Sequence, residues 1–184
     1  DRPTLQCKTP INVILVLDGS ADLGAKGWQN AIKAAQLFVS GFQDDRDARI
    51  AVLTFSGPNT WSGVAKCMGE EKGPVDMEAD CQIKWASKFT GDMASLSTTL
   101  GDLPWPKGGS LTSLALSAAE NELQLARKGV PSVVIVITDG RPLSFRRTGL
   151  ASERIKQSAR LVWVPVSKMA PLAKFKLWAS KRWQ

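Results

Sequence analysis

Apolar residues in this chain come in short dense runs divided by polar turns, and the spacing inside each run changes from segment to segment. The run Ile11-Asn12-Val13-Ile14-Leu15-Val16-Leu17 is nearly continuous and stops at Asp18-Gly19-Ser20-Ala21-Asp22, which predicts a strand covered on both faces. Residues 26–42 carry Trp28, Ala31, Ile32, Ala35, Phe38, Val39 and Phe42 at three- and four-residue steps, the stripe of a half-buried helix. Residues 49–55 predict a second strand, and residues 82–89, with Ile83 and Trp85, predict an edge strand. A small helix is expected over 92–100 and a longer one over 114–128. The strongest strand signal is Ser132–Thr138, which ends in Asp139-Gly140 and so repeats the pattern of the first. A basic helix over 151–159, a strand over 161–166 and a closing helix over 171–183 complete the chain. Strands alternating with helices predict an α/β fold, doubly wound, with a mostly parallel sheet flanked by helices.

Between the second and third strands, residues 60–80 are polar and Gly-rich, longer than an ordinary hairpin loop, and are expected to be either an insertion with a job or a disordered excursion, without helical or strand periodicity over 67–81. The domain organisation that follows is one domain over residues 1–184 with an inserted loop at about 59–81. Cys67 and Cys81 bracket the insertion, and a disulfide between them would close its loop, implying an oxidising compartment, extracellular or an organelle lumen. Cys7 is left over, as a buried thiol or as a partner of something beyond Gln184. The first residue is Asp1, which fits either removal of a targeting segment or a cut in the sequence. No apolar run approaches the roughly 18–20 residues that cross a bilayer.

The net charge of +7 is unevenly spread. From Arg141 onward Glu153 stands alone among eleven Lys and Arg, so the last quarter is the basic flank. Such a flank is either a solvated surface or an attraction for an acidic partner. The closing helix, with Leu172, Phe175, Trp178 and Ala179 beside Lys174, Lys176, Lys181 and Arg182, is expected to bury its apolar stripe and attract acidic partners without stable membrane insertion. Nucleic acid is not expected as a partner, since the seven tryptophans are scattered and tyrosine is absent.

Candidate chemistry sits at the carboxyl ends of the strands. With no histidine in the chain, imidazole bases and the common zinc sites are excluded. Asp18 has Ser20 rather than an acid two residues on, so the D-x-D pair of phosphoryl-transfer hydrolases is absent and no enzyme is expected. Taken alone, the Gly108-Gly109-Ser110-Leu111-Thr112 loop would read as N-capping of the following helix. Taken with Asp18-Gly19-Ser20-Ala21-Asp22 and Thr138-Asp139-Gly140, its hydroxyls join carboxylates in a set suited to a hard divalent cation, Mg²⁺, Mn²⁺ or Ca²⁺.

In order and context these three loops resemble the von Willebrand factor type A domain family, whose pattern is D-x-S-x-S after the first strand, a threonine in a Gly-rich loop and an aspartate in T-D-G. The resemblance implies a doubly wound sheet bearing a metal-ion-dependent adhesion site, with Mg²⁺ the first choice of cation and Asp18, Ser20, Asp22, Ser110 and Asp139 as its residues. It further implies that hydroxyls touch the metal, that the aspartates act largely through water, and that a protein partner presents an acidic residue. Two positions depart from the pattern: Asp22 replaces the second serine, and counting back from Leu116 puts Ser110 rather than Thr112 at the threonine position. A carboxylate at Asp22 would strengthen cation binding and reduce the charge left for a partner. The functional expectation is a non-enzymatic, adhesion-type interaction module. The alternative is a scaffold subunit of a larger assembly that makes its contacts through the basic flank and the insertion, with Asp22 paired to Lys26 or Arg141.

Overall fold

A computed structural model describes residues 9–43, 45–139, 141–167 and 170–181. Cys7, Gly140 and Arg182, each singled out above, lie outside them. The elements in order are β1 (Ile11–Asp18), α1 (Gly24–Ser40), β2 (Ala48–Phe55), α2 (Trp61–Cys67), β3 (Ile83–Thr90), α3 (Met93–Gly101), α4 (Thr112–Leu123), β4 (Ser132–Thr138), α5 (Phe145–Ile155), β5 (Arg160–Pro165) and α6 (Leu172–Trp178). A single 3-10 turn, Ala21–Leu23, precedes α1.

The five strands form one sheet in the order β3-β2-β1-β4-β5. All pairs are parallel except β2 with the edge strand β3. The near-continuous apolarity of β1 is explained by cover on both sides. Val13, Leu15 and Leu17 point into a core shared with Trp28, Ala31 and Val39 of α1 and Leu96 and Leu100 of α3. Ile14 and Val16 point the other way, toward Ala115 and Leu116 of α4, Ile155 of α5 and Phe175 of α6. Side chains alternate across a strand, so a strand buried on both faces must be apolar at successive positions.

Chain order reverses at β1, with β2 on one side and β4 on the other. The carboxyl ends of β1 and β4 therefore flank the switch point where open α/β sheets hold their ligands. Pairing of Leu17 with Ile137 puts Asp18 and Thr138 next to each other there.

Several helices depart from the sequence-based expectation. Residues 60–80 are not wholly irregular, because Thr60 accepts a hydrogen bond from the Gly63 amide and starts the two-turn α2. The expected helix over 114–128 ends at Leu123. Beyond it the Arg127 side chain donates to Asn12 Oδ1 at 2.9 Å and to the Ile11 and Asp47 carbonyls, tying the α4–β4 connection to the amino ends of the strands. The helix expected at 151 begins at Phe145, capped by Ser144. Polar residues hid its first turns, since Thr148 and Ser152 occupy buried positions and the Ser152 hydroxyl donates back to the Thr148 carbonyl at 2.8 Å. In α6 only Phe175 and Trp178 are buried, the first stacked on Trp163 and the second tilted against it, while Leu172 is 56% exposed and stands outside the buried stripe.

Candidate metal centre

Asp18 closes β1 and is fully enclosed. Its Oδ1 accepts the Ser20 amide at 2.9 Å. Its Oδ2 accepts the Thr138 hydroxyl at 2.5 Å and the Ser110 hydroxyl at 3.4 Å. Burial raises the Asp18 pKa from 3.8 to about 6, and the nearby Asp139 charge adds to the rise; the hydrogen bonds from Thr138 and Ser20 oppose it. Asp139, also buried, repeats the local geometry of Asp18, accepting the amide two residues on from Arg141 at 3.1 Å. Its pKa is likewise raised, first by burial and further by the charge of Asp22, with the Arg141 amide and guanidinium opposing.

Three further loops hold these acids in place. The Gly19 amide donates to the Phe55 carbonyl at 2.7 Å, and the Ala21 amide to the Gly108 carbonyl at 2.9 Å. The Leu111 amide reaches the Ser56 carbonyl, and the Leu143 amide reaches the Ser110 carbonyl. Two glycines are required at these approaches. A Cβ on Gly19 would stand 2.4 Å from the Pro106 ring, and Gly108 has φ +101 with the Gly57 carbonyl oxygen where its Cβ would be. Trp105 also supports the first loop, its indole N–H donating to the Ser20 carbonyl at 3.4 Å.

The Ser110 and Thr112 hydroxyls do not cap α4, against the reading of that loop in isolation. No side chain caps the helix; the two hydroxyls lie 3.0 Å apart and Ser110 turns toward Asp18. Thr112 is thus a buried neighbour of the Ser110–Asp18 contact. Ser20 is also buried; its hydroxyl lies close enough to Asp18 to help hold the charge but forms no hydrogen bond of acceptable geometry. Asp22, by contrast, is exposed. Among the described residues no ion pair joins it to Lys26 or Arg141, and no three His, Cys, Asp or Glu side chains gather as a ligand cluster. The enclosed oxygens are therefore two carboxylates and the hydroxyls of Ser20, Ser110, Thr112 and Thr138.

This donor set fits a hard cation. Two buried acids, each pushed toward its neutral form, and a buried hydroxyl with no partner leave negative charge and lone pairs unsatisfied, and a small oxygen-seeking dication answers both deficits. Trp105 was not among the sequence candidates, and Thr138 was named there only as part of its loop. The Thr138 role follows from strand register, since the last residue of β4 stands beside Asp18, whereas nothing local in Pro104-Trp105-Pro106 points to the Ser20 carbonyl.

The family model of the von Willebrand factor type A domain matches residues 12–168. Similar solved structures include manganese-loaded TRAP of Plasmodium vivax, 16% identical with a TM-score of 0.70 over 97% of this chain and 66% of that one. Proximal thread matrix protein 1 of the mussel byssus is 13% identical, with a TM-score of 0.72 over 95% of this chain and 42% of that one. The type V pili tip protein Mfa5 of Porphyromonas gingivalis is 22% identical, with a TM-score of 0.54 over 73% of this chain and 20% of that one. The likeness to these three is one of fold, and this chain spans less than two thirds of the length of each.

Proposed function

The chain belongs to the von Willebrand factor type A domain family, and from that premise we propose that it is a non-enzymatic, adhesion-type protein-interaction module with a divalent-cation site at the carboxyl edge of its sheet. The observation that carries the reading is the buried Asp18–Asp139 pair beside the unpartnered Ser20 hydroxyl. Asp18, Ser20, Ser110 and Asp139 would hold the cation, Mg²⁺ first and Mn²⁺ or Ca²⁺ next, with Asp22 adding negative charge from the exposed rim. A bound cation there supplies a Lewis-acidic position for a carboxylate of a protein partner. That Plasmodium vivax TRAP has been crystallised with manganese, and that Mfa5 is a pilus-tip protein, both support the reading.

The single sheet common to the described residues supports one domain over 1–184, with 59–81 as an insertion. The Cys67–Cys81 disulfide supports an extracellular or lumenal location.

Calorimetric titration of the domain with Mg²⁺ and Mn²⁺ tests the centre. Asp139→Ala and Ser20→Ala are each expected to weaken binding at least tenfold while leaving the melting transition cooperative, since both residues stand beyond the ends of their strands. Unchanged affinity in both variants removes the cation site. Release of a bound partner by EDTA would support adhesion through the cation. Indifference to EDTA would favour the alternative, a scaffold subunit bound through its basic flank and insertion.

A further inference from the structure

The insertion holds a stretch that neither the sheet nor the candidate centre uses. Residues 69–74 are all exposed, and among the described residues no backbone hydrogen bond begins or ends on residues 71–75. Lys72 stands in its middle, outside every ion pair of the described residues. Apart from its chain neighbours, no heavy atom lies within 4 Å of where a Cβ on Gly73 would be, so the Lys72–Gly73 bond has open space around it. The ends of the stretch, by contrast, are fixed. Upstream, the Glu70 amide donates to the Ala65 carbonyl at 2.9 Å, the Glu70 carboxylate pairs with Arg147, and the Ser62 hydroxyl donates to Glu71 at 3.1 Å. Downstream, Val75 packs against the core, and the Asp80 carboxylate accepts the Asp76 amide at 2.9 Å and Lys66 at 2.8 Å. The Cys67–Cys81 disulfide ties the two sides together.

An endoprotease takes its substrate as an extended strand, and most of a folded chain must give up hydrogen bonds or packing to enter one. The backbone on either side of the Lys72–Gly73 bond has no hydrogen bond to give up. Other basic residues in described loops differ. The Arg46 carbonyl accepts the Arg49 guanidinium, and the Asp47 amide that follows is held by Asp45 Oδ1. Lys107 is followed by Gly108, which is buried with its carbonyl on the Ala21 amide. Around Lys128 the Val130 amide closes a turn on the Arg127 carbonyl, and the Arg127 side chain is bound to Asn12. Arg141 precedes Pro142, whose ring stands where a protease needs an amide N–H.

We propose that Lys72–Gly73 is a processing site for a trypsin-like endoprotease, whose specificity pocket offers a carboxylate to the Lys72 ammonium, and that the cut leaves a two-chain domain with its sheet intact. Water adds across the bond as it breaks, its hydroxyl going to the Lys72 carbonyl carbon and its proton to the Gly73 nitrogen. Residues 1–72 then supply β1 and β2, and residues 73–184 supply β3, β4 and β5. In the order β3-β2-β1-β4-β5 the pair from the first piece is held between β3 and β4 of the second, so no strand pairing is lost. The disulfide becomes the covalent link between the pieces. None of the candidate cation residues lies in this stretch, so the inference stands apart from the adhesion reading.

Limited digestion of the oxidised domain with trypsin, read by intact mass spectrometry, tests the site; removal of residues 1–8 or 182–184 is set aside as trimming. The first internal cut is expected after Lys72. On a denaturing gel the product should run as one band without reductant and as two with it. The cut domain should keep the elution volume and near-ultraviolet circular dichroism of the intact one. Lys72→Gln is expected to slow the first internal cut about tenfold or more, yet to leave cleavage after Glu70 or Glu71 by a glutamate-specific endoprotease, which enters the same open stretch. A first internal cut at any other residue, or an unchanged rate in Lys72→Gln, overturns the site. So does resistance at Lys72 in the folded domain under conditions that cleave the urea-unfolded chain there. Loss of the folded signal in step with cleavage, or pieces that part without reductant, overturns the intact two-chain form.

Discussion

Asp18 shows at the scale of one residue what enclosing a carboxyl group does to stability. Its carboxyl is enclosed, and its pKa rises from 3.8 unfolded to about 6 folded. Between those values the folded domain holds more protons than the unfolded chain, so its cation-free stability increases as pH falls from 7 toward 4 and is lost as pH rises through 6. For this group alone the difference is roughly 3 kcal/mol. Urea denaturation in EDTA is therefore expected to give a higher midpoint at pH 5 than at pH 7.5. In Asp18→Asn, whose amide oxygen still accepts from Thr138, that dependence should shrink to the part that the raised pKa of Asp139 contributes, and stability at pH 7.5 should rise. The same variant should lose cation binding, because the charge that costs stability is the one a cation needs. Mg²⁺ should accordingly stabilise the wild-type domain more at pH 7.5 than at pH 5, since only the ionised carboxylate binds it. A midpoint in EDTA that is flat across this range would mean that Asp18 is ionised throughout and well compensated.

At the scale of elements, α2 shows how a segment with little apolar periodicity becomes ordered. Its seven residues could not stand as a helix alone. The hydroxyl cap of Thr60, the Lys66–Asp80 pair and the Cys67–Cys81 bond each act on it, and the bond closes a loop 14 residues apart in sequence. Closing a loop of that size removes unfolded-chain entropy worth about 3 kcal/mol. Cys67→Ser with Cys81→Ser is expected to lower stability by about that amount. The chemical-shift changes in amide NMR spectra should concentrate in residues 60–83, with the strands β1 and β4 little affected. Changes spread over the whole sheet would mean that the insertion is integral to the core. The closing helix α6 gives the opposite lesson. Its buried contribution is an aromatic contact, Phe175 and Trp178 against Trp163, with Phe145 of α5 completing it at 5.8 Å from Trp178. Leu172 and Leu177 remain 56% and 64% exposed beside Lys174 and Lys176.

At the scale of the whole molecule, charge is segregated, with a basic last quarter on a chain of net charge +7. Among the described residues no helix is long and apolar enough to cross a membrane. Attraction of this flank to acidic partners or anionic vesicles is expected to be weak and to vanish near 0.5 M salt, where screening shortens to about 4 Å. Co-sedimentation that persists at that salt would mean that Leu172 and Leu177 insert. The sheet and its order of elements were legible in the sequence because burial on both faces demands unbroken apolar runs, as in Val13 to Leu17 and Val133 to Ile137, and such runs are local. The polar loops after Asp18 and Thr138 were legible for the same reason, since each interrupts a run at a fixed point, whereas the Gly108–Thr112 loop between α3 and α4 was marked by its glycines and hydroxyls. The hydroxyl partners were not. Ser110 could cap α4 or turn to Asp18, 92 residues away, and Thr138 meets Asp18 across 120 residues. Only the packing of β1 beside β4, and of the Gly108 loop over both, settled which hydrogen bonds formed and left the Ser20 hydroxyl without one. Likewise α2 and its exposed Trp61 arise from a cap, an ion pair and a disulfide, contacts that carry no repeating pattern along the chain. Periodicity encodes which face of an element is buried; the partner of a buried polar atom depends on which distant loop arrives beside it, and that is decided by the tertiary structure.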